Sequence, residues 1–136
     1  MGNVKEIKTE GMKMIRETKN LDALINKIGY EIVEEIKSKG RDKTKYKNEI
    51  EKALGVLSND GVYAFYVYVK SKKVNDVFLE KIKPITSVIP EVPFQNGNWQ
   101  KFFENLSENL QSLLFFREIL EKILIYARYH AKALGD

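Results

Sequence analysis

The chain has 136 residues, 43% of them apolar and 31% charged, which is enough for one globular domain with a core. No apolar run reaches the roughly 18–20 residues of a membrane helix, and the absence of cysteine excludes disulfides and thiolate chemistry and favours a reducing cytoplasm. The net charge of +4 permits a polyanionic partner without requiring one.

The first clear periodicity predicts an amphipathic helix over Asn20–Lys39. Asn20 is a candidate N-cap and Gly40 a candidate C′ residue. The preceding stretch, Val4–Lys19, has a looser apolar pattern and either extends this helix or forms a shorter one. A second, largely charged helix is predicted over Asp42–Leu57, with one apolar face and therefore a position on the surface.

Val62–Lys72 is the ambiguous segment, because its valines, tyrosines and phenylalanine favour a strand. A strand needs partners, and the other candidate, Ile85–Phe94, is interrupted by prolines. The segment is therefore predicted to be a short central helix. Ser58, Asn59 and Asp60 offer its N-cap, and its apolar character on all sides predicts neighbours on all sides.

The C-terminal half is predicted to begin with a helix over Asn75–Ile89, restricted by Pro84 and ended by the prolines that follow. Pro90–Gly97 reads as a loop. Asn98–Leu134 is predicted to be helical, with a break near Ser107 and an apolar face wide enough to pack against more than one neighbour. The fold class is therefore all-α, a compact single-domain bundle of about five to seven helices over residues 1–136, with no sheet.

No catalytic motif stands out. His130 is the single histidine, which excludes a multi-histidine metal site, and no HExxH, GxSxG or phosphate-binding glycine loop is present. Glu118 and Glu121 can share a helix face, as acid–base carboxylates do, but such pairs are common on surface helices. We expect a packing or surface role for His130, no cofactor, no metal and no enzyme activity. A carboxylate-based enzyme is the least favoured alternative.

Basic residues cluster in three places: in the turn between the first two helices, at the end of the Val62–Lys72 segment, and on the last helix beside Tyr129. Lysine and arginine give sequence-independent affinity for phosphates, and a nearby tyrosine can stack on an exposed base. The alternative is a solvated surface on a lysine-rich protein. The candidate RNA-binding residues are Arg41, Lys43, Lys45, Lys47, Lys70, Lys72, Lys73, Arg117, Arg128 and Lys132.

Three segments, in this order, are INKIGYEIVEEIKSKGRDKTKYKNEIEKALGVL, SNDGVYAFYVYVKSKK and FREILEKILIYARYHAKAL. The first is similar to an amphipathic helix followed by a lysine-rich turn, the second to an Asn-Gly turn and an apolar helix with a lysine tail, and the third to a closing helix with an aromatic-Arg pair. In this order they resemble the small helical subunit of the type III-B (Cmr) CRISPR RNA-guided effector complexes.

The resemblance implies a non-catalytic cytoplasmic subunit in antiviral defence. It would stack in a filament with copies of itself and with other CRISPR effector subunits, and contact the guide and target RNA backbone through basic faces, with no membrane involved. The alternative is a helical protein-interaction module without direct nucleic-acid contact, such as an adaptor or the small subunit of a Csm or Cascade-type complex.

Overall fold

The computed structural model describes the backbone of residues 3–134 and the side chains of residues 20–134. Within this range the chain forms helices and no strand, so the all-α prediction is confirmed. Short 3₁₀ segments lie at Gly40–Asp42 and Lys83–Val88. The α-helices are α1 (Asn3–Lys37), α2 (Lys43–Asp60), α3 (Val62–Ser71), α4 (Asn75–Phe78), α5 (Trp99–Ser107) and α6 (Leu110–Ala133).

Helix α1 is continuous, so the prediction that Asn20 caps a helix is wrong. The helix already runs through the residues before Asn20, and the backbone N–H groups that a cap would satisfy bond to upstream carbonyls instead. The helix ends at Lys37, two residues earlier than predicted, and Gly40 turns the chain with a φ of 58°. The side-chain pattern of Val4–Lys19 lies outside the described residues.

Helices α1 and α6 pack closely at Gly29. A Cβ atom built on Gly29 would lie 2.9 Å from the Cβ of Tyr126 and 3.2 Å from the backbone nitrogen of Ala127. Nearby, Asn26 Oδ1 and His130 Nε2 are 3.2 Å apart, and the rings of Tyr30 and His130 meet edge to face. Glycine at position 29 therefore permits a contact between α1 and α6 that a larger residue would obstruct.

Helices α2 and α3 are joined by Gly61 alone, whose φ of 96° and ψ of −174° suit only glycine. The prediction that Ser58, Asn59 or Asp60 caps α3 is wrong, because these residues form the last turn of α2. The Arg117 side chain of α6 donates a hydrogen bond of 2.6 Å to the Ser58 carbonyl. That bond satisfies one of the carbonyls that a helix leaves free at its C-terminal end.

Helix α3 is a helix, as predicted, but it is not surrounded. Tyr63 and Val67 are 38% and 48% exposed, since α3 packs against α2, α4 and α5 and leaves one side open. Helix α3 therefore lies at the edge of the bundle, and the longer α6 contacts α1, α2 and α5. The buried side chains of α3 are Val62, Phe65, Tyr66 and Val69.

The segment after α3 contains less helix than predicted. Helix α4 ends at Phe78, and a turn leads to the 3₁₀ segment that begins at Lys83. Pro84 lacks the backbone N–H that a continuing α-helix needs. Pro90–Gly97 forms a loop, as predicted.

The break near Ser107 is confirmed. Helix α5 ends at Ser107 and α6 begins at Leu110. Asn98 and Asn109 cap the two helices, since their side-chain oxygens accept hydrogen bonds from the backbone N–H groups of Lys101 and Ser112.

The described buried apolar residues form one cluster that draws on all the helices. At one end, rings from α3, the loop, α5 and α6 pack together with centroids 4.4–6.0 Å apart, within the range of favourable aromatic pairs. In the described part of the chain, no helix combines the length and the apolar character needed to cross a bilayer. The rings are those of Tyr66, Phe94, Trp99, Phe102, Phe103 and Phe116.

Candidate nucleic-acid interface

Two of the three basic clusters meet in a groove between α2 and α6. Lys43 and Lys47 lie one turn apart on α2, and Arg128 and Lys132 lie one turn apart on α6, so each pair shares a helix face. Packing of α2 against α6 brings the two pairs together. We call this surface the α2–α6 groove. It consists of two adjoining cavities that share Lys47 and Asn48. The other polar lining residues are Lys43 and Thr44 in the cavity along α2, and Glu51, Arg128 and Lys132 in the cavity between α2 and α6.

Arg128 is held in place within the groove. Its Nη1 atom lies 3.3 Å from Glu51 Oε1, and its guanidinium carbon lies 5.6 Å from the centroid of the Tyr129 ring. Its Nε atom is buried and has no hydrogen-bond partner among the described residues. A buried donor without a partner is costly, so this Nε atom is a local cost to stability and not a donor open to the groove.

The groove has an excess of positive charge. Glu51 is the one acid among the described residues that line it. Within the side chains that the structure describes, Lys43 and Lys132 have no hydrogen-bond or ion-pair partner. Lys43 is also the first residue of α2, where the helix dipole adds a partial positive charge. These features favour a polyanion over a neutral ligand.

Lys72, at the end of α3, lies across α2 from the groove. Tyr68 of α3 donates a hydrogen bond of 2.6 Å to Glu49, whereas Glu51 pairs with Arg128 of α6. Positions two apart on a helix point to opposite flanks, because each residue turns the helix by about 100°. Lys72 lies over the ring of Tyr68, with 5.8 Å between its Nζ and the ring centroid. Lys72 therefore lies on the α3 side of α2, and Lys73 follows it. Lys70 lies elsewhere on α3, where its Nζ donates a hydrogen bond of 3.3 Å to the hydroxyl of Tyr66.

The buried contact between Tyr68 and Glu49 fixes the α3 side of α2. Glu49 is 5% exposed, and its Oε2 atom accepts the hydrogen bond from Tyr68. Burial, together with the hydrogen bond to Glu49, raises the pKa of Tyr68 to about 12. The hydroxyl therefore stays protonated and can donate to the carboxylate at any ordinary pH.

The structure does not place the other three candidates in the groove. Arg41 and Lys45 are exposed near the start of α2, outside the groove lining. Arg117 bonds to the Ser58 carbonyl and lies eleven residues before Arg128, about 16 Å away along the axis of α6. The Arg117 side chain therefore joins α6 to the end of α2 and does not contribute to the groove.

The residues considered for catalysis have separate partners. Glu118 pairs with Lys122 at 3.5 Å, and Glu121 accepts a hydrogen bond from Ser58 at 3.2 Å. His130 packs beside Asn26 and Tyr30 on the α1 side. The described residues contain no group of three or more acidic, histidine or cysteine side chains placed to hold a metal ion.

Sequence reasoning did not include Glu51, Thr44 or Asn48 in the interface. The spacing of Lys43 and Lys47, and of Arg128 and Lys132, places each pair on one helix face, but Arg41 and Lys45 have the same spacing, so spacing alone does not select the groove residues. The pairing of α2 with α6 has no signal in the sequence either. No family model, curated protein or solved structure matches the chain.

Proposed function

We propose that this protein is a non-catalytic, cytoplasmic subunit of a CRISPR RNA-guided effector complex that holds the guide or target RNA backbone in the α2–α6 groove. The observation that supports RNA contact is the convergence of Lys43, Arg128 and Lys132 from two helices on one surface with a single acid. The resemblance of the three sequence segments supports the CRISPR assignment, with copies of the chain and other effector subunits as partners.

The chemistry of the groove suits a phosphate backbone. A lysine that neutralises a phosphate releases the counterions bound to the RNA. For a single strand, each such contact therefore adds about −0.7 to the slope of log affinity against log salt concentration. Tyr129 is 58% exposed and packs beside Arg128. A base next to a bound phosphate can stack on that ring, which contributes roughly 1–3 kcal/mol.

The test is the salt dependence of RNA affinity in the assembled complex. We expect the double variant Lys43→Ala, Lys132→Ala to weaken binding of a single-stranded RNA and to lower the slope of log affinity against log salt by about 1.4, for two lost contacts. Fluorescence anisotropy at several KCl concentrations measures both quantities.

The matched control removes the same charge elsewhere. Lys101 and Lys122 lie on exposed faces of α5 and α6 outside the groove. Their double alanine variant is expected to change the affinity and the slope much less. Equal losses in the two double variants would mean that only net charge matters, and the groove would not be the interface.

The lysines at the end of α3 are proposed as a second backbone contact. Replacing Lys70, Lys72 and Lys73 together by alanine is expected to lower the target-strand affinity and its salt slope in the assembled complex. An unchanged slope would remove these lysines from the interface and leave the groove alone.

The second candidate function is a helical protein-interaction module without nucleic-acid contact. The observation that favours it is a row of exposed apolar side chains on the first turns of α6, where Leu110, Leu114 and Phe115 are 67%, 54% and 39% exposed. Exposed apolar patches mark protein-interaction surfaces. This candidate predicts partner binding that is lost in Leu114→Glu, and no salt-dependent RNA binding.

A further inference from the structure

A cleft with an apolar floor lies beside the α2–α6 groove, where the ends of α1 and α6 meet the start of α2. Its volume is about 210 Å³. The lysines at its rim are Lys37, Lys43 and Lys47. We call it the apolar cleft, and its floor is made by Val33, Ile36, Ile50, Ala131 and Leu134.

The floor of the apolar cleft selects against RNA. The side chains of its floor contain no polar atom, so a phosphate or the edge of a base buried there would lose its hydrogen bonds to water without replacement. An apolar side chain has no hydrogen bonds to lose on burial, and it gains about 0.8 kcal/mol for each buried methylene. A volume of 210 Å³ is also below the usual 300–1,000 Å³ of small-molecule pockets. The cleft therefore fits a large side chain.

The rim gives the cleft a charge preference. Among the described side chains, Lys43 has no hydrogen-bond or ion-pair partner. Lys37 makes a 3.4 Å contact with Glu34 but its side chain is 44% exposed. The first turn of α2 adds the positive end of a helix dipole. Carboxylates flanking the inserted side chain would be attracted by all three features.

We propose that the apolar cleft docks an acidic peptide segment of a partner protein, with one apolar side chain in the cleft and flanking carboxylates beside Lys37 and Lys43. This inference does not rest on RNA binding. Lys43 lines both the cleft and the groove. A docked acidic peptide therefore lowers the affinity of the groove for a polyanion.

The test uses fluorescein-labelled peptides in which one leucine, phenylalanine or tryptophan is flanked by two glutamates on each side. Fluorescence anisotropy with the full chain is expected to show binding. Binding is lost when the central residue is glycine or when the glutamates are replaced by lysines. The first control removes the apolar anchor, and the second reverses the charge that Lys37 and Lys43 attract.

Variants of the protein separate the cleft from the groove. Leu134 is 50% exposed, so the uncharged change Leu134→Gln is expected to keep the fold and to lower the affinity for the best peptide at least tenfold. Lys37→Ala, which removes a rim lysine that does not line the groove, is a second cleft variant and is expected to lower the affinity as well. Lys132→Ala removes a groove lysine that does not line the cleft. It is expected to change the peptide affinity less than twofold.

Three outcomes would overturn the proposal. The first is that no peptide of the set binds at millimolar concentration. The second is that Leu134→Gln leaves the peptide affinity unchanged, or that Lys132→Ala lowers it as much. The third is that the uncharged variant Leu134→Gln lowers the affinity for single-stranded RNA as much as it lowers the peptide affinity, which would make the cleft part of a polyanion site. RNA binding in the groove is tested separately, by the double variant Lys43→Ala, Lys132→Ala. The proposal of RNA binding and the proposal of peptide docking can therefore fail independently.

Discussion

Asp76 ties the start of α4 to the connection between α1 and α2. Lys39 Nζ donates a hydrogen bond of 2.7 Å to one carboxylate oxygen, and the Tyr46 hydroxyl donates one of 2.9 Å to the other. Burial raises the pKa of Asp76, but the hydrogen bonds from Lys39 and Tyr46 outweigh burial and hold it below its usual 3.8. The same contact raises the pKa of Lys39.

We expect Asp76→Asn to destabilise the protein at neutral pH by about 1 kcal/mol, a small value because half of the Asp76 side chain is exposed and water screens the pair. The folded-state pKa is depressed, so this stability is present above the unfolded pKa of 3.8 and is lost as the pH falls through the folded value. Urea unfolding of both proteins from pH 7 to pH 2.5 measures the difference.

The raised pKa of Lys39 works in the opposite direction. Its contribution is present below the unfolded value of 10.5 and is lost as the pH rises through the folded value. The difference in the free energy of unfolding between the wild-type protein and Asp76→Asn should therefore become smaller at both low and high pH. A difference that stays constant down to pH 2.5 would show that the Asp76 carboxylate is not stabilised by its charge.

At the scale of elements, the contact between α1 and α6 depends on a missing side chain. Gly29→Ala would place a Cβ atom 2.9 Å from that of Tyr126, closer than real contacts allow. The helices would have to separate, and overpacking of this kind costs about 1–3 kcal/mol. We expect Gly29→Ala to lower the free energy of unfolding, measured by chemical denaturation.

Gly55 provides the matched control for that prediction. It lies inside α2, and a Cβ atom built there meets nothing within 4 Å. Gly55→Ala should stabilise the protein by about 0.5–1 kcal/mol, since alanine loses less backbone entropy in a helix. If Gly29→Ala were equally stabilising, α1 and α6 would not pack as closely as described.

At the scale of the molecule, the shared core predicts that the chain unfolds as one unit. Trp99, the single tryptophan, lies in the aromatic cluster, and Phe102 and Phe103 beside it are fully buried. We expect Trp99 fluorescence and far-ultraviolet circular dichroism to follow one urea transition with the same midpoint. Separate midpoints would mean that the aromatic end folds apart from α1, against the prediction of a single domain.

Truncating a buried side chain of this core is expected to lower the free energy of unfolding. Phe102→Ala should destabilise the protein by about 3–5 kcal/mol, because it removes a buried ring and leaves a cavity. The free energy of unfolding of a domain of this kind is about 5–15 kcal/mol in total. The urea midpoint should therefore fall strongly, while Trp99 fluorescence and circular dichroism still report the same midpoint. The surface variant Lys122→Ala, measured alongside, should change the midpoint little, since its 3.5 Å pair with Glu118 is exposed.

The sequence by itself determined the all-helical class and most of the helical segments, although it predicted too much helix after Asn75. The periodicity of Asp42–Leu57 and the prolines after Asn75 specify local structure, because 3.6-residue spacing and proline geometry act over one or two turns. Sequence also indicated that the chain between Val62 and Lys72 is a helix, since no partner strand was available. It misplaced the cap at Asn20, where a locally acceptable start is overridden by a helix that continues from upstream.

Only the tertiary structure decided which cations meet. Lys43 and Arg128 are 85 positions apart, and their contact with one groove depends on the packing of α2 against α6. The same packing left Lys72 on the other side of α2 and bonded Arg117 to the Ser58 carbonyl. Composition and spacing identify basic residues, whereas a binding surface requires side chains from distant segments, whose relative positions follow from burial of the shared apolar core.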